Sequence, residues 1–363
     1  MLDRLAAELV DLVLDELLGR GGLRRPTGNP ASAAHEYERA LCALALVDRH
    51  VGSVAQDRLN RLVVIVEGSL RTRRRLANLE SRFMAAGDAR IPVELLIVAS
   101  PPGSGQSDLS RALKWIQSPV EYIGFWQRWG VLKDMAERLE GVRTATLWTA
   151  SRRSLAVLRN VTHLWCATWS ADAAPLDIEP STGRLVGGHQ LRHLCFHWLN
   201  HGDPTDSNNF ARGRPDTASD VLDVASVLVS LDITTWFAQL LRLFNGRSAS
   251  RLDRLIATLY VEKWHLEHPE TVRTFVQALP ATVRTLHLVF LASATLDTTV
   301  FMRLLLARCR AGELQLQELH FDVPPPINGI PRLPAVAALA SELQSQLQNL
   351  GIDCVFAESP RSR

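Results

Sequence analysis

The segments Val283-Arg284-Thr285-Leu286-His287-Leu288-Val289-Phe290 and Leu316-Gln317-Glu318-Leu319-His320-Phe321 share one arrangement, with apolar residues at the first, fourth and sixth positions. In a strand successive side chains alternate between faces, so Leu286 and Leu288, or Leu319 and Phe321, share one face and His287 and His320 take the other. Helical spacing precedes both segments, over residues 271–279 and 296–309. The chain there reads helix, strand, helix, strand. Working outward, the same apolar-x-x-apolar-x-apolar form begins at Leu59, Val93, Val142, Val161, Leu191, Leu228 and Ile256, at irregular intervals. A weaker match, Val120-x-x-Ile123-x-Phe125, splits the longest of them. Helix-period segments also lie ahead of Val93 (70–84), Val142 (125–139) and Leu228 (221–225). In a chain that is 47% hydrophobic, three apolar positions coincide by chance with a probability of ~0.10. The alternation carries the inference; the pattern alone does not.

These segments resemble the strands of leucine-rich repeats, although none carries the asparagine that follows the strand in regular repeats. The resemblance implies an α/β repeat fold, an irregular solenoid whose strand residues between the leucines line an open concave face. Those positions are Thr144, Thr146, Trp148, His163, Trp165, His193, His197, Asp232, Tyr260, Glu262, His287, His320 and Asp322. Aromatic side chains mixed with histidines and acids suit protein recognition, where a few Trp and Tyr anchors dominate affinity. Trp148, His163, Trp165, His193, His197, Tyr260, Glu262, His287 and His320 are therefore the expected target-binding residues. Trp148 and Trp165 would equally serve as packing between repeats. A layered α/β fold with helices on both sheet faces would produce the same alternation and remains the alternative. Residues 170–188, 200–219 and 324–334 read as surface excursions at repeat rims.

Composition narrows the function classes. The 363 residues carry 40 basic and 38 acidic side chains, so no global field favours nucleic acid or an anionic membrane, and neither is an expected partner. Lys114, Lys133 and Lys263 are the only lysines. Cys42, Cys166, Cys195, Cys309 and Cys354 are scattered, odd in number and free of CxxC spacing, so no disulfide framework or zinc module is expected, and a reducing compartment fits. Acids and an arginine interrupt the apolar N-terminus, unlike the core of a signal peptide, and no run approaches the ~18 apolar residues of a membrane span. A cytoplasmic or nuclear location is expected.

At the N-terminus, Leu2, Leu5, Leu9, Leu12, Val13 and Leu17 recur at helical spacing over residues 2–18, with Gly19 as a stop. A loop over 19–34 follows, then a second periodic segment with Tyr37, Leu41, Leu44, Val47, Val51 and Val54. Two short helices cannot bury their apolar stripes alone. Leu5-Ala6-Ala7-Glu8-Leu9-Val10-Asp11-Leu12-Val13-Leu14-Asp15-Glu16-Leu17 resembles the opening of an F-box, LPxELxxxILxxL, with Ala6 at the usual proline. The segment 41–50, followed by Ala55-Gln56-Asp57-Arg58-Leu59, is similar to the motif's second half, and the intervening loop is longer than usual. The resemblance implies that Leu5, Leu9, Leu12, Val13, Leu17, Leu44 and Val47 form the module's core and its interface with a Skp-type adaptor of a cullin-RING ubiquitin ligase. The plainer expectation is a helical cap over one end of a solenoid.

Two stretches carry potential chemistry. Val93-Glu94-Leu95-Leu96-Ile97-Val98-Ala99-Ser100-Pro101-Pro102-Gly103-Ser104-Gly105-Gln106-Ser107 imitates a nucleotide-binding P-loop. Ser100 replaces its first glycine and Gln106 its lysine, which removes the charge that meets the phosphates. His189, His193, Cys195, His197 and His201 cluster in sequence, but residues two apart on one strand stand ~7 Å apart, too far to converge on one ion at ~2 Å. No catalytic residue, metal or cofactor is therefore expected. The resulting expectation is a non-enzymatic substrate receptor with an F-box-like module over 1–58, a repeat domain over 59–356 and a disordered tail over 357–363, acting by bringing an unknown protein target to the ligase. A repeat scaffold without a ligase role and a degenerate nucleotide-binding protein are the alternatives.

Overall fold

The computed structural model describes residues 30–47, 49–87, 89–100, 107–125, 137–150, 157–169, 190–197, 228–236, 251–260, 269–290, 298–323 and 334–358, with Leu9, Ser154, Leu240 and Phe244. The chain is an α/β protein that divides into Met1–Gln190 and Leu191–Arg363. In the first unit helices α1 (Pro30–Leu44) and α2 (Arg49–Arg61) precede β1 (Leu62–Val66), α3 (Leu70–Ala85), β2 (Leu95–Ala99), α4 (Ser107–Trp115), β3 (Glu121–Phe125), β4 (Thr144–Ala150) and β5 (His163–Trp169). The second holds β6 (His193–His197), β7 (Ser230–Trp236), β8 (Arg254–Tyr260), α5 (Pro269–Ala278), β9 (Thr285–Phe290), α6 (Thr298–Arg310), β10 (Glu318–Val323), α7 (Pro334–Gln348) and β11 (Asp353–Glu358).

Within each unit every strand pairs in parallel with its chain neighbours, in the order β1-β2-β3-β4-β5 and β6-β7-β8-β9-β10-β11. A doubly wound sheet reverses its strand order at a switch point. The described strands contain no such reversal. The sheets are open, and the order is the one that repeated helical or looped returns on the same side produce.

One backbone device recurs at the strand starts. The Glu94 carbonyl accepts from Val120 and Glu121, Val120 from Arg143 and Thr144, and Arg143 from Thr162 and His163. In the second unit Arg192 receives Val229 and Ser230, Val229 receives Asp253 and Arg254, Asp253 receives Arg284 and Thr285, and Arg284 receives Gln317 and Glu318. Each carbonyl thus engages two consecutive amides of the next strand. Immediately before these strands a buried apolar residue recurs, as at Val142, Val161, Leu191, Leu228, Leu252, Val283 and Leu316.

The faces differ between units. In the second, Leu194, Leu231, Ile233, Leu255, Ala257, Leu259, Leu286, Leu288, Leu319, Phe321 and Cys354 are buried, at ~1.5–3 kcal/mol for each large side chain removed from water. Phe275 of α5, Phe301 of α6 and Phe321 stack in series over this face. The opposite face is polar and partly open. In the first unit β1 and β2 are buried on both faces. Tyr37 and Leu41 of α1 and Ala55 of α2 join Val64, Val66, Leu95, Ile97, Ala99 and Ile123 in one apolar cluster, while α3 lies against β1 on its way to α4. Two covered faces explain the unbroken apolar runs Leu62–Val66 and Leu95–Ala99. The free edge of β1 is closed by side chains of α3. Arg75 donates to the Val64 carbonyl at 2.8 Å, and the Val66 amide donates to Thr72 Oγ1 at 2.8 Å.

Several sequence expectations change. The second periodic segment is two helices, α1 and α2, separated by a turn at 45–47, and α1 starts at Pro30, inside the expected loop. Gly52 permits this arrangement, since a Cβ there would lie 2.8 Å from the Ala45 carbonyl oxygen. Leu59 belongs to α2 and not to a strand start, and α2 runs through Arg61, past the expected boundary at 58. The β8 pattern begins at Leu252, not Ile256, and β3 is buried on both faces from Glu121 to Gly124, so the Val120 match does not pick out one covered face there. The strand β11 extends to Glu358, two residues into the expected tail. The N-terminal helix over 2–18 lies outside the described residues except for Leu9, which is helical and 49% exposed.

Candidate functional site

Strand register aligns the open face of the second unit into two rows. One runs His193, Ser230, Arg254, Thr285, Glu318, Asp353, and the next runs Cys195, Asp232, Ile256, His287, His320, Val355. Cross-strand partners in such rows stand within side-chain reach. Three close pairs result. Cys195 Sγ donates to Asp232 Oδ2 at 3.4 Å, and the His287 and His320 rings lie 5.5 Å apart between centroids, tilted by 51°. Thr285 Oγ1 donates to Glu318 Oε2 at 3.2 Å. Val355 is 40% exposed, and Ile256 is half-buried. The face therefore offers apolar patches framed by imidazoles and carboxylates, a composition suited to a protein partner.

Burial, then the nearby Arg254 guanidinium, pulls the His193 imidazole below its ordinary value. A histidine whose folded pKa is depressed binds fewer protons folded than unfolded, so its neutral form favours the fold above the unfolded pKa and that contribution is lost as pH falls below about 6.5. In proton NMR titrations the His193 resonance should move at lower pH than an unstructured histidine. The Arg254→Gln change should shift its midpoint upward. An unchanged midpoint would remove Arg254 as a cause.

The equivalent face of the first unit is largely occupied. Trp148, half-buried, packs against the α1–α2 cluster, and Thr146 is buried. His163 and Trp165 stack at 6.0 Å and 18°, both half-buried, with Thr162 Oγ1 2.9 Å from His163 Nδ1. Tyr260, His197 and Asp322 occupy strand positions of the second unit, but their side chains, like Glu262 as a whole, lie outside the described residues.

The P-loop imitation falls in the first unit. The strand β2 and helix α4 flank it, and residues 101–106 lie outside the described residues. The Glu67 carboxylate accepts from the first amides of α4, Asp108 at 3.2 Å and Leu109 at 2.9 Å. Asp108 in return accepts from the Gly68 amide at 3.0 Å, where the turn needs a positive φ of 78°. A phosphate would use these helix N-terminal amides. Here the protein's own carboxylate holds them, and burial raises the Glu67 pKa against the pull of those amides.

Along one strand His193, Cys195 and His197 stand too far apart to converge, whereas the close pairs run across strands. Cys195 meets Asp232, and His287 meets His320. The signal was present in the repeat alignment, because His287 and His320 occupy the same position of the two segments that define the fold. Among the described residues no group of three or more His, Cys, Asp and Glu side chains could hold a metal ion. Leu44 packs against the apolar cluster of α1 and α2, while Leu46 and Val47 in the turn are 88% and 67% exposed. Leu5, Leu12, Val13 and Leu17 lie outside the described residues. No described helix is long and apolar enough to cross a membrane. Comparison with known protein families and with curated proteins yields no match for this chain.

Proposed function

We propose that this chain is a non-catalytic recognition protein built as an irregular leucine-rich-repeat solenoid, and that it serves as the target receptor of a cullin-RING ubiquitin ligase. The observation that carries the recognition role is the second unit's sheet. One face is sealed by leucines and phenylalanines, and the other presents aligned rows of His, Asp, Glu, Thr and Ile across six strands. A sheet face lined in this way, with a protein segment lying across several strands, uses side-chain complementarity and no bond chemistry. The ligase role is supported by the F-box-like sequence of the N-terminus and by the exposed Leu46 and Val47, apolar side chains in the segment that resembles the motif's second half.

The mechanism is proximity. A target held on the second unit and an adaptor held by the N-terminal helices would share one chain, raising the local concentration of target lysines near the ubiquitin carrier. Recovery of purified Skp-type adaptor on the immobilised chain is the test. The double change Leu46→Asp, Val47→Asp should reduce recovery at least ~10-fold, because charge is placed in an apolar contact, and it should leave stability within about 0.5 kcal/mol because both residues are exposed. Equal recovery from both proteins would reject the ligase role. The observation favouring the plain scaffold is that α1 and α2 bury Tyr37, Leu41 and Ala55 against their own sheet, as a cap does; absence of adaptor binding with an intact second-unit face would select it.

A further inference from the structure

We propose that His287 and His320 form a two-imidazole site for a divalent first-row transition metal, with Zn2+, Ni2+ and Cu2+ as the fitting class. The inference stands on the side-chain geometry of β9 and β10 and does not depend on the receptor role. The two residues are register partners on adjacent parallel strands and project from the same face. Their ring centres are 5.5 Å apart. An ion of this class binds imidazole nitrogen at about 2.0–2.1 Å, so two imidazoles sharing one ion at a tetrahedral angle have centres roughly 5 Å apart. The observed spacing matches that requirement, and the strand pairing that sets it is part of the fold, so little backbone ordering remains for the metal to impose.

The surroundings favour a cation. Glu318 and Asp353 are register partners on the same face, one alternation before His320 and Val355. Arg254, the register partner of Thr285, is the diagonal neighbour of His287 on the other side, so the two carboxylates outnumber one guanidinium around the pair. Imidazole donors select the zinc, nickel and copper group over calcium and magnesium, which take oxygen ligands. Two protein ligands leave coordination positions open, to be filled by water or by a donor side chain of a bound partner.

The test uses Cu2+ on the full chain, read by electron paramagnetic resonance. The expected result is one Cu2+ bound with dissociation constant on the order of micromolar and a spectrum reporting two equatorial imidazoles. His287→Asn and His320→Asn should each weaken it at least about tenfold, because a chelate becomes a single contact, and each should leave a one-imidazole signature. His193→Asn, on the same face two residues from Cys195, should bind as the parent does. Parent-like binding in either His287→Asn or His320→Asn, or an equal loss in His193→Asn, overturns the proposal. A measurement on the unmodified chain guards against misfolded variants. One equivalent of Zn2+ should slow acylation of His287 and His320 together by diethyl pyrocarbonate, followed by mass spectrometry of the peptides, and unchanged acylation overturns the site.

Discussion

Replacing Phe301 by alanine is expected to lower the stability of the second unit by about 3–5 kcal/mol. Its ring is 2% exposed and stands 6.1 Å from Phe275 and 5.4 Å from Phe321, so it joins α5, α6 and β10 at one point. Truncation removes both the buried area and two aromatic contacts, each worth ~0.5–1.5 kcal/mol beyond area, and the flanking rings belong to separate elements that cannot collapse together. Urea denaturation followed by circular dichroism measures the change. Phe301→Leu should recover most of the loss, because it restores most of the volume. A loss below about 1 kcal/mol for the alanine variant would mean the three rings do not form a shared core.

Arg308→Met is expected to destabilise the same unit by about 2–4 kcal/mol, from lost charge-assisted hydrogen bonds and newly unpaired carbonyls. The reason begins in the sequence. The carbonyl of Val276 would normally receive the amide four residues on, but that residue is Pro280, which has none. Arg308 of the next helix supplies the missing donor: its guanidinium donates to the Val276 carbonyl and, at 3.1 Å, to that of Leu279. A positive charge at a helix C-terminus adds a favourable dipole interaction. The side chain is 16% exposed and also meets Glu313 at 3.4 Å. Methionine keeps the packing of the stem and removes only the donors. Arg308→Lys should restore part of the loss, since a point charge cannot reach both carbonyls as a planar fork does. Hydrogen exchange should show the loss concentrated at the end of α5. Uniform exchange with unchanged stability would show that the Val276 carbonyl needs no partner.

The repeated strands were legible because most have a single covered face. At Val142, Val161, Leu191, Leu228, Val283 and Leu316 the apolar pattern and the buried face coincide. Where both faces are covered, as in Leu62–Val66, every phase of the pattern matches and the sequence cannot choose between them. Elsewhere the covered face uses residues outside the pattern. Before β11 the residue in the first pattern position is Gly351, with a positive φ of 79°. The turn dividing α1 from α2 was hidden because Leu44, Val47, Val51 and Val54 keep helical spacing across it. The open face of the second unit was legible as a set of positions. Its cross-strand pairs were not, because separate returns bring together residues as far apart in sequence as Cys195 and Asp232, and only the pairing register shows which meet.

The carbonyls that each take two amides from the next strand have a further consequence for how such a chain tolerates change. Phase is set afresh at every strand start, so the length of the preceding return does not propagate into the sheet. Returns as different as those from Thr144 to His163 and from His193 to Ser230 lead to the same register. Insertions and deletions can therefore accumulate in the returns with little effect on the face. A single residue inserted between Arg284 and Thr285 is a different event, because it would exchange the faces of His287 and Leu288 at one stroke. Length variation among related chains should accordingly fall in the returns, with the two residues whose amides meet each such carbonyl as the fixed points from which the face is counted.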